Sequence, residues 1–425
     1  MGSTSPAPVS FPDASSLDLI LTEPTAEERN RVWSGTHPMW GPALSHDDYL
    51  LREAYLTTVP LAKDGGITHW ILTDRASPPG QRPILSSCET LRKRALCCRP
   101  SGAENAETRV VEGVAHGIGS VFTDPQFRGR GYASRMMREV GARLREWQVS
   151  SGPRLSPTLA GADNDAGEGG LTSHSLFSVL YSDIGKQFYS RHGWAPFESS
   201  HVAFPPVPGA SSGLEPQNGY ARVGGEATGR PTAKPIGYHE MAELCNVDEQ
   251  LLKAVMVKRA KSATRTCVAL LPDLDALLWH LMREDFMTKH IFGRTPSVKG
   301  AVYGDAGSRL WAVWTRGYYG GLDKVEGNTF HILRFVAEDE GCSPDYLIHG
   351  FRSIIEIAQA EAAEWRSQDI QMWNPSPTIK KLVEGCGLDY EYVDRDKESI
   401  ASLMWYGDEP TEELDWVANE KYAWC

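Results

Sequence analysis

The residue types that most directly suggest chemistry lie in one short stretch, Arg128-Gly-Arg-Gly-Tyr-Ala-Ser134. Small residues at positions 129, 131 and 133 allow backbone N–H groups to approach an anion closely. A helix is predicted to begin at Tyr132, and the positive end of its dipole would face the same anion. The stretch therefore predicts a binding turn for a pyrophosphate, although a tight turn between a strand and a helix would use the same residues.

Other phosphate-binding motifs fit this stretch less well. There is no Gly-Lys-Ser or Gly-Lys-Thr sequence of the kind that a Walker A loop requires, and the pattern G-x-G-x-x-G fails because Gly131 is followed by Tyr-Ala-Ser134. Arg128 and Arg130 add positive charge, or point to solvent. The interpretation that remains is a pyrophosphate held by backbone amides.

The elements around the turn must place it between a strand and a helix. Residues 111–123 alternate loosely and end in an apolar run, which predicts a central strand, and residues 132–147 carry apolar side chains at helical spacing. A buried strand at 175–181 and a short helix at 184–192 follow. The predicted order of elements is therefore strand, glycine-rich turn, helix, strand and helix.

The N-terminal part shows the same mixture of strands and helices. A strand at 17–21 precedes a capping box at Thr25–Glu28, which predicts a helix from about residue 26. Strands at 68–73 and 83–87 favour a hairpin. The predicted fold class is therefore α/β with a mixed sheet.

Two motifs resemble the GNAT superfamily of N-acetyltransferases. Arg128, Gly131 and Ala133 match its motif A, R/Q-x-x-G-x-G/A, and residues 188–194, Phe-Tyr-Ser-Arg-His-Gly-Trp, are similar to its FYxxxGF/W segment. The resemblance implies acetyl-coenzyme A as co-substrate and the Tyr189 hydroxyl as the acid that protonates the departing thiolate. Tyr189 could instead be an ordinary tyrosine of an amphipathic helix that ends at Gly193.

The resemblance also implies which residues bind the cofactor. In that family the end of the strand pairs with pantetheine, and the turn with the first residues of the helix holds the pyrophosphate. The residues at these positions are Val121, Phe122, Thr123, Arg128, Gly129, Arg130, Gly131, Tyr132, Ala133 and Ser134.

A finer resemblance points to an acceptor. The segments VFTDPQFRGRGYASRMM, LYSDIGKQFYSRHGW and ILSSCETLRKRA are similar to the fungal lysine acetyltransferase family, as are ALLPDLDALLWHLMREDF and RLWAVWTRGYY in the second half. This implies transfer to the side-chain amine of free L-lysine. The alternatives are another amine, such as a polyamine, an aminoglycoside-like compound or a secondary metabolite, and a module that binds acyl-CoA without turnover.

Transfer to an amine requires a base, because an alkylamine with a pKa of about 10.4 is mostly protonated at neutral pH. His116 and Glu112 lie on the strand that leads to the turn, and either could act, although a lone His on such a strand is more often structural. A third candidate is the terminal carboxylate of Cys425, because the apolar end Tyr422-Ala-Trp-Cys425 suggests docking. Tandem acetyltransferases similar to the bacterial enhanced-intracellular-survival proteins can place their chain end this way.

The length of 425 residues predicts more than one domain. We expect a catalytic domain at 1–205, a linker rich in Pro and Gly at 206–234, and a second domain at 235–425. A Ser-, Gly- and Asp-rich stretch at 150–173 is expected to be a mobile excursion from the first domain.

The second half repeats the order of the first in a degenerate form. After a mostly helical segment at 236–293, strands from 297 lead to the turn 335–343, which carries three carboxylates and a single glycine. Such a turn is not suited to bind coenzyme A, so this GNAT-like domain is expected to complete the acceptor pocket. Possible partners for a cationic substrate are Asp183, Glu198 and Glu338, and four aromatic residues are expected in the core: Trp311, Trp314, Tyr318 and Trp373.

The composition limits the classes of partner. A formal net charge of -12 disfavours nucleic acid and mildly favours a cationic substrate. No apolar stretch is long enough to span a membrane, and no targeting segment is evident, so a cytoplasmic protein is expected. The eight cysteines show no CxxC pair or metal-type spacing, so no metal is expected, and none is placed for acyl relay, which favours direct attack.

Overall fold

The computed structural model describes residues 11–100, 108–149, 175–208, 232–262 and 265–424. The excursion predicted at 150–173, most of the linker predicted at 206–234, and Cys425 lie outside these ranges. The strands form two mixed sheets flanked by helices, which confirms the predicted α/β class.

The first sheet carries the glycine-rich turn. Its strands, in spatial order, are β1 (Leu19–Thr22), β2 (Ile67–Asp74), β3 (Ser86–Cys98), β4 (Val110–Phe122), β5 (Phe177–Ser182), β15 (Ile400–Trp405) and β6 (Ala195–Pro196). Two further strands extend it from the side of β3: β9 (Cys267–Leu270) pairs with β3, and β16 (Asp415–Trp416) pairs with β9.

The second sheet has the same plan. Its strands, in spatial order, are β8 (Lys234–Ile236), β10 (Gly300–Tyr303), β11 (Leu310–Tyr318), β12 (Asn328–Ala337), β13 (Asp369–Trp373), β7 (Ser200–Phe204) and β14 (Glu391–Asp394). The parallel pair β12–β13 corresponds to the parallel pair β4–β5 of the first sheet. The two sheets therefore match strand for strand.

Each sheet takes one strand from the opposite half of the chain. β15, close to the C-terminus, pairs with β5 and β6 of the first sheet, and β7 pairs with β13 and β14 of the second. The predicted domain division near residue 205 remains a proposal about domains. The sheets do not follow it, because a cut there leaves each sheet without an inner strand.

The helices differ in whether they pack against one sheet or against both. They are α1 (Ala26–Trp40), α2 (His46–Leu56), α3 (Tyr132–Leu144), α4 (Gln187–Ser190), α5 (Met241–Ser262), α6 (Leu274–Phe292), α7 (Pro344–Glu364) and α8 (Pro377–Gly385). Apolar residues of α3 cover one face of the first sheet, and those of α7 and α8 cover one face of the second. A further core cluster joins residues of both sheets with α5 and α6, for example Phe177, Leu281, Trp311 and Leu333.

Several local signals in the sequence lead to the expected elements. The capping box forms at the start of α1, where the Thr25 hydroxyl accepts from the Glu28 amide and the Glu28 carboxylate accepts from the Thr25 amide. The four aromatic residues predicted for the core are buried. None of the helices in the described ranges has an apolar stretch long enough to cross a bilayer.

Two strands were not expected. β3 continues to Cys98, well beyond the predicted end at residue 87, because its run of basic residues finds partners from elsewhere in the chain; Arg94, for example, bonds to Glu112. β9 interrupts the segment predicted as mostly helical, and it forms because the side of β3 is available for pairing. Both differences depend on contacts that are distant in sequence.

Candidate active site

The glycine-rich turn leads directly into α3. Gly131 caps this helix with φ of 82°, and Gly129 has φ of 76°, so both use the left-handed region that other residues rarely adopt. No side chain caps the helix. Within the described chain, the amides of residues 129–134 have no hydrogen-bond acceptor. Open amides at the positive end of a helix dipole fit a pyrophosphate.

The surroundings of the turn hold it in place. The Arg128 Nε donates to the Thr123 carbonyl at 3.0 Å, and its guanidinium lies 5.9 Å from the centre of the Phe122 ring. The Tyr132 hydroxyl donates to the Pro12 carbonyl at 2.7 Å. Arg128 therefore braces the turn, while the exposed Arg130 leaves positive charge at its surface.

β4 and β5 separate beside this turn. Their pairing covers only Ala115–Ile118 with Phe177–Leu180, although β4 continues to Phe122. The register with β3 shifts between Ser87 and Glu89, and Ser120 has φ of 52°, so β4 carries a bulge here. An opening between two parallel strands next to an anion-binding turn can admit an extended chain such as pantetheine. The predicted pantetheine residues, Val121 to Thr123, lie immediately after the bulge.

Tyr189 lies on α4, on the side of the first sheet that α3 covers. Only 8% of the residue is exposed, and it belongs to the same core cluster as Cys88 and Met136. Burial raises the pKa of the phenol, so the hydroxyl keeps its proton at neutral pH. No described residue accepts a hydrogen bond from it. The group is therefore a proton donor without a partner in the described chain.

A narrow cleft lies on the opposite side of the sheet. Its wall comes from α1, α2, β2, β3 and the bulge of β4, and all its lining residues fall within residues 24–120. The second half, which was predicted to complete the pocket, reaches this region as a supporting layer. Phe286 of α6 stacks on Tyr55 of α2 with ring centres 5.5 Å apart.

Glu89 is the acidic group of this cleft that lies next to the bulge. Its carboxylate accepts a hydrogen bond from the Ser120 hydroxyl at 2.7 Å, and only 13% of its side chain is exposed. Burial, and then the nearby Glu53 carboxylate, raise the pKa of Glu89 to about 7. A carboxylate with this pKa can accept a proton near neutral pH.

The other charged groups of the cleft differ in their pairing. Glu53 is bound by Arg52, whose Nε and Nη2 lie 2.9 and 2.5 Å from one of its oxygens. His69 lies 3.7 Å from Glu89, but burial lowers its pKa to about 4, so it is neutral at pH 7. Arg29 has a buried Nε without a hydrogen-bond partner in the described chain.

Two of the predicted bases lie away from the bulge. His116 is four residues from Ser120, about 13 Å along a strand, and its Nδ1 lies 3.3 Å from the Ser175 hydroxyl. Burial lowers the pKa of His116 to about 4. Glu112 is eight residues from Ser120, about 26 Å, and accepts from Arg94 Nε at 2.7 Å. The structure does not bring either residue to the cleft.

The third predicted base, the Cys425 carboxylate, lies outside the described residues. The residues before it are buried against β3: Lys93 Nζ donates to the carbonyls of Ala423 at 2.8 Å and Trp424 at 3.1 Å. Lys93 and Glu89 lie four residues apart on the same face of β3. Tyr422 and Ala423 are therefore packed in the core, while the position of the Cys425 carboxylate stays a prediction.

The possible cation partners named from the sequence lie elsewhere. Asp183 accepts from the Ser399 amide, Glu198 is exposed, and Glu338 pairs with Arg309 Nε at 2.7 Å. Among the residues that the structure describes, no group of three or more His, Cys, Asp or Glu side chains is placed to hold a metal ion. Cys88 borders the cleft although its side chain packs in the core cluster of Tyr189, and burial raises the pKa of its thiol, which disfavours the thiolate needed for acyl relay.

Sequence reasoning missed Glu89, Arg29 and His69. Glu89 belongs to no motif, and the predicted strand ended before it. One signal was present: an acidic residue stands alone in the apolar and hydroxyl-rich run Leu85-Ser-Ser-Cys-Glu-Thr-Leu91, where a buried carboxylate needs a reason. Arg29 and His69 lie on separate elements, and only the folded chain brings them together.

Comparison with known proteins finds a family and two relatives. A profile of the family described as "LYC1 GNAT-like C-terminal domain" matches residues 208–425. A lysine acetyltransferase of Yarrowia lipolytica is 29% identical over 323 residues, which cover 70% of this chain and 72% of the relative. An uncharacterised protein of Saccharomyces cerevisiae is 23% identical and covers 84% and 82% of the two chains.

Two solved structures are similar to this chain at low sequence identity. A GCN5-related N-acetyltransferase from Kribbella flavida matches with a TM-score of 0.46 at 12% identity, over 91% of this chain and 70% of its own. The Saccharomyces cerevisiae N-myristoyltransferase with bound myristoyl-CoA matches with a TM-score of 0.47 at 8% identity, over 96% and 82% of the two chains.

Proposed function

The chain belongs to the LYC1 GNAT-like family, and on that premise we propose that it transfers an acetyl group from acetyl-CoA to a small primary amine, the side-chain amine of free L-lysine. The observation that carries the proposal is the row of open amides at residues 129–134, beside the opening between β4 and β5. The first feature suits the pyrophosphate of the cofactor, and the second suits its pantetheine arm. Acetyl-CoA supplies the activated acetyl group.

In this proposal the attacking amine and the departing thiolate lie on opposite faces of the first sheet. Neighbouring residues Cys88 and Glu89 project to opposite faces of β3, toward Tyr189 and toward the cleft respectively. An amine in the cleft attacks the acetyl carbon from one side of the sheet, and the thiolate leaves on the other. The new N–C bond forms as the C–S bond breaks, without a covalent enzyme intermediate.

Tyr189 is the proposed acid. Its hydroxyl gives a proton to the departing thiolate, and its raised pKa keeps that proton in place until the thiolate forms. The amine must lose a proton to a base. Among the bases predicted from the sequence, the Cys425 carboxylate retains support, because Lys93, on the same strand as Glu89, holds the residues before it.

Two observations support L-lysine as the acceptor. The relative from Yarrowia lipolytica carries the name lysine acetyltransferase. The net charge of -12 also favours a cationic acceptor.

The proposal is tested by mixing the purified protein with acetyl-CoA and a panel of amines. The panel contains L-lysine, a polyamine and an aminoglycoside, with free thiol and product mass as readouts. We expect thiol release that depends on L-lysine and yields the side-chain acetylated product. Release with another amine but not with L-lysine would change the acceptor. Tight binding of acetyl-CoA without release for any amine would instead identify a binding module.

A further inference from the structure

The cleft contains one cation and one carboxylate that lack ion-pair partners in the described chain. Arg29 makes no ion pair there, and its Nε is buried without an acceptor. The Glu89 carboxylate accepts a hydrogen bond from the Ser120 hydroxyl, lies beside the neutral His69 ring, and forms no ion pair with Arg or Lys among the described residues. A desolvated charge without a partner is costly, so such a pair of groups suggests that a ligand completes it.

Several other buried charges among the described residues are paired, although Arg395 also has buried nitrogens without a partner. Arg316 bonds to Glu284 at 2.7 Å and to Glu361 at 2.5 Å, and Lys299 bonds to Glu284 and Asp285, both at 2.5 Å. Within the cleft itself, Arg52 neutralises Glu53. The Arg29 guanidinium and the Glu89 carboxylate thus lack the ion pairs that Arg316, Lys299 and Glu53 form.

Aromatic rings connect the two groups. The Arg29 guanidinium lies 5.0 Å from the centre of the Trp33 ring, the Trp33 and His69 rings lie 5.7 Å apart, and His69 contacts Glu89 at 3.7 Å. A ligand that reaches both charges has to extend along these rings. An apolar chain with opposite charges at its two ends fits this arrangement.

We infer that Glu89 is the general base for the acceptor amine and that Arg29 binds the carboxylate of the same acceptor. The cleft would then select an amino acid whose reacting amine lies at the far end of an aliphatic side chain. This inference rests on the proposed function, which it deepens by assigning the base and the specificity determinant. In the step, the ammonium gives one proton to Glu89, and the neutral amine attacks the acetyl carbon beside the bulge. The C–S bond then breaks, Tyr189 protonates the thiolate, and the second proton lost from the nitrogen passes to solvent, which restores the Tyr189 hydroxyl.

The charges around Glu89 are consistent with this role. Burial and the Glu53 carboxylate raise the pKa of Glu89, whereas the Ser120 hydroxyl, Arg283 of α6 and Arg52 of α2 lower it, leaving it at about 7. His69 of β2 is neutral because burial, and then Arg29, lower its pKa. Glu89 can therefore gain or lose a proton near neutral pH.

Arg29→Gln tests the carboxylate receptor. The matched substrates are L-lysine and 1,5-diaminopentane, which has the same amine chain without the carboxylate. We expect KM for L-lysine to rise by roughly ten- to a hundredfold, as for the loss of a hydrogen-bonded charge pair, with KM for the diamine unchanged. Arg75→Gln, at an exposed position, is the control. Equal KM values for L-lysine in the wild type and Arg29→Gln would overturn the assignment.

Glu89→Gln tests the base. We expect kcat to fall by roughly a hundred- to ten-thousandfold for both substrates, with acetyl-CoA binding retained in calorimetry. The decrease of kcat toward acidic pH, which protonation of Glu89 should cause in the wild type, should also be lost in the residual activity of the variant. Deleting Cys425 alone separates the two candidates: if that deletion removes this decrease and Glu89→Gln does not, the chain end is the base and the inference is wrong.

Failure of this inference differs from failure of the proposed function. If the wild type acetylates L-lysine while both variants behave like it, only the roles of Arg29 and Glu89 are wrong. If the wild type acetylates no amine, the function itself is wrong. Thermal melting of each variant shows whether a loss of turnover reflects unfolding.

Discussion

The turns that follow β4 and β12 occupy equivalent places in the two sheets, but they differ in whether their backbone amides have hydrogen-bond acceptors. After β4, residues 129–134 leave their amides without acceptors in the described chain. After β12, Asp339 accepts from the Gly341 amide at 2.8 Å, and Ser343 caps α7. Glu338 is bound by Arg309 and by the Gly307 amide. The second turn thus satisfies its own amides and brings negative charge to the place where an anion would bind.

The same contrast extends to the helices that follow β5 and β13. Gly193 and Gly387 both adopt positive φ, at 101° and 68°, after α4 and α8. Four residues before each glycine stand Tyr189 and Val383, both buried. One half therefore places a proton donor where the other places an aliphatic core residue. A strand-turn-helix unit is a scaffold, and binding depends on whether its polar groups are left open.

The largest expected effect concerns whether the two halves are separable. Residues 1–208 expressed alone should not fold cooperatively. They lack β15, which lies between β5 and β6, and they lack β13 and β14, the partners of β7. Circular dichroism with thermal melting measures this. Coexpression with residues 232–425 should restore the fold in part. A sharp, independent melting transition of the N-terminal fragment would show that the exchanged strands are dispensable.

The next effect compares the two turns directly. Gly131→Glu should abolish acetyl-CoA binding, because the carboxylate repels the pyrophosphate and φ of 82° disfavours any side chain. Calorimetry with acetyl-CoA is the measurement. Gly341→Glu, in the turn after β12, is the matched control and should bind the cofactor as the wild type does. Tight binding by Gly131→Glu would move the cofactor site elsewhere.

Tyr189→Phe should have a smaller effect. Turnover should fall by roughly ten- to a thousandfold, because the hydroxyl no longer protonates the thiolate, while the Kd for acetyl-CoA changes little. Tyr346→Phe removes a hydroxyl bonded to the Ser308 carbonyl in the second half and should leave turnover unchanged. Steady-state kinetics of the two variants decide between an acid and a packing tyrosine. Equal turnover in both would remove Tyr189 from the mechanism.

The smallest effect is on stability. The raised pKa of Glu89 makes its carboxyl group favour the folded state when protonated, and this contribution is lost as pH rises through about 7. Glu89→Gln should therefore raise stability at pH 8 by on the order of 1 to 3 kcal/mol, with little change at pH 5. Glu338→Gln should destabilise, because it breaks the buried pair with Arg309. Urea unfolding at both pH values checks both signs.

The sequence predicts the turn well because its signals are local. Gly131 and the helix after it lie within a few residues, and the Thr25–Glu28 capping box is equally local. The carboxylates of the turn after β12 also lie within a few residues of one another, so the sequence alone predicts that this turn is not suited to bind phosphate.

The sequence does not predict what depends on distant pairing. The cleft joins Arg29 of α1, His69 of β2 and Glu89 of β3, which no spacing rule connects. Glu112 and His116 attract attention because they precede the motif on the same strand, but strand geometry carries them away from the bulge. The exchange of β7 and β15 is equally hidden, because β-strand pairing has no local code for its partner.

The exchange of strands also sets an order of events during protein synthesis. β5 ends at Ser182, but its partner β15 is complete only at Trp405. At translation rates of 5 to 20 residues per second, the ribosome needs roughly 10 to 45 s to make the intervening chain. During that interval the nascent protein carries an unpaired strand edge, the kind of surface that invites aggregation or capture by chaperones. Slow codons before residue 400 would lengthen this exposure, so the yield of active enzyme should depend on translation speed in that stretch.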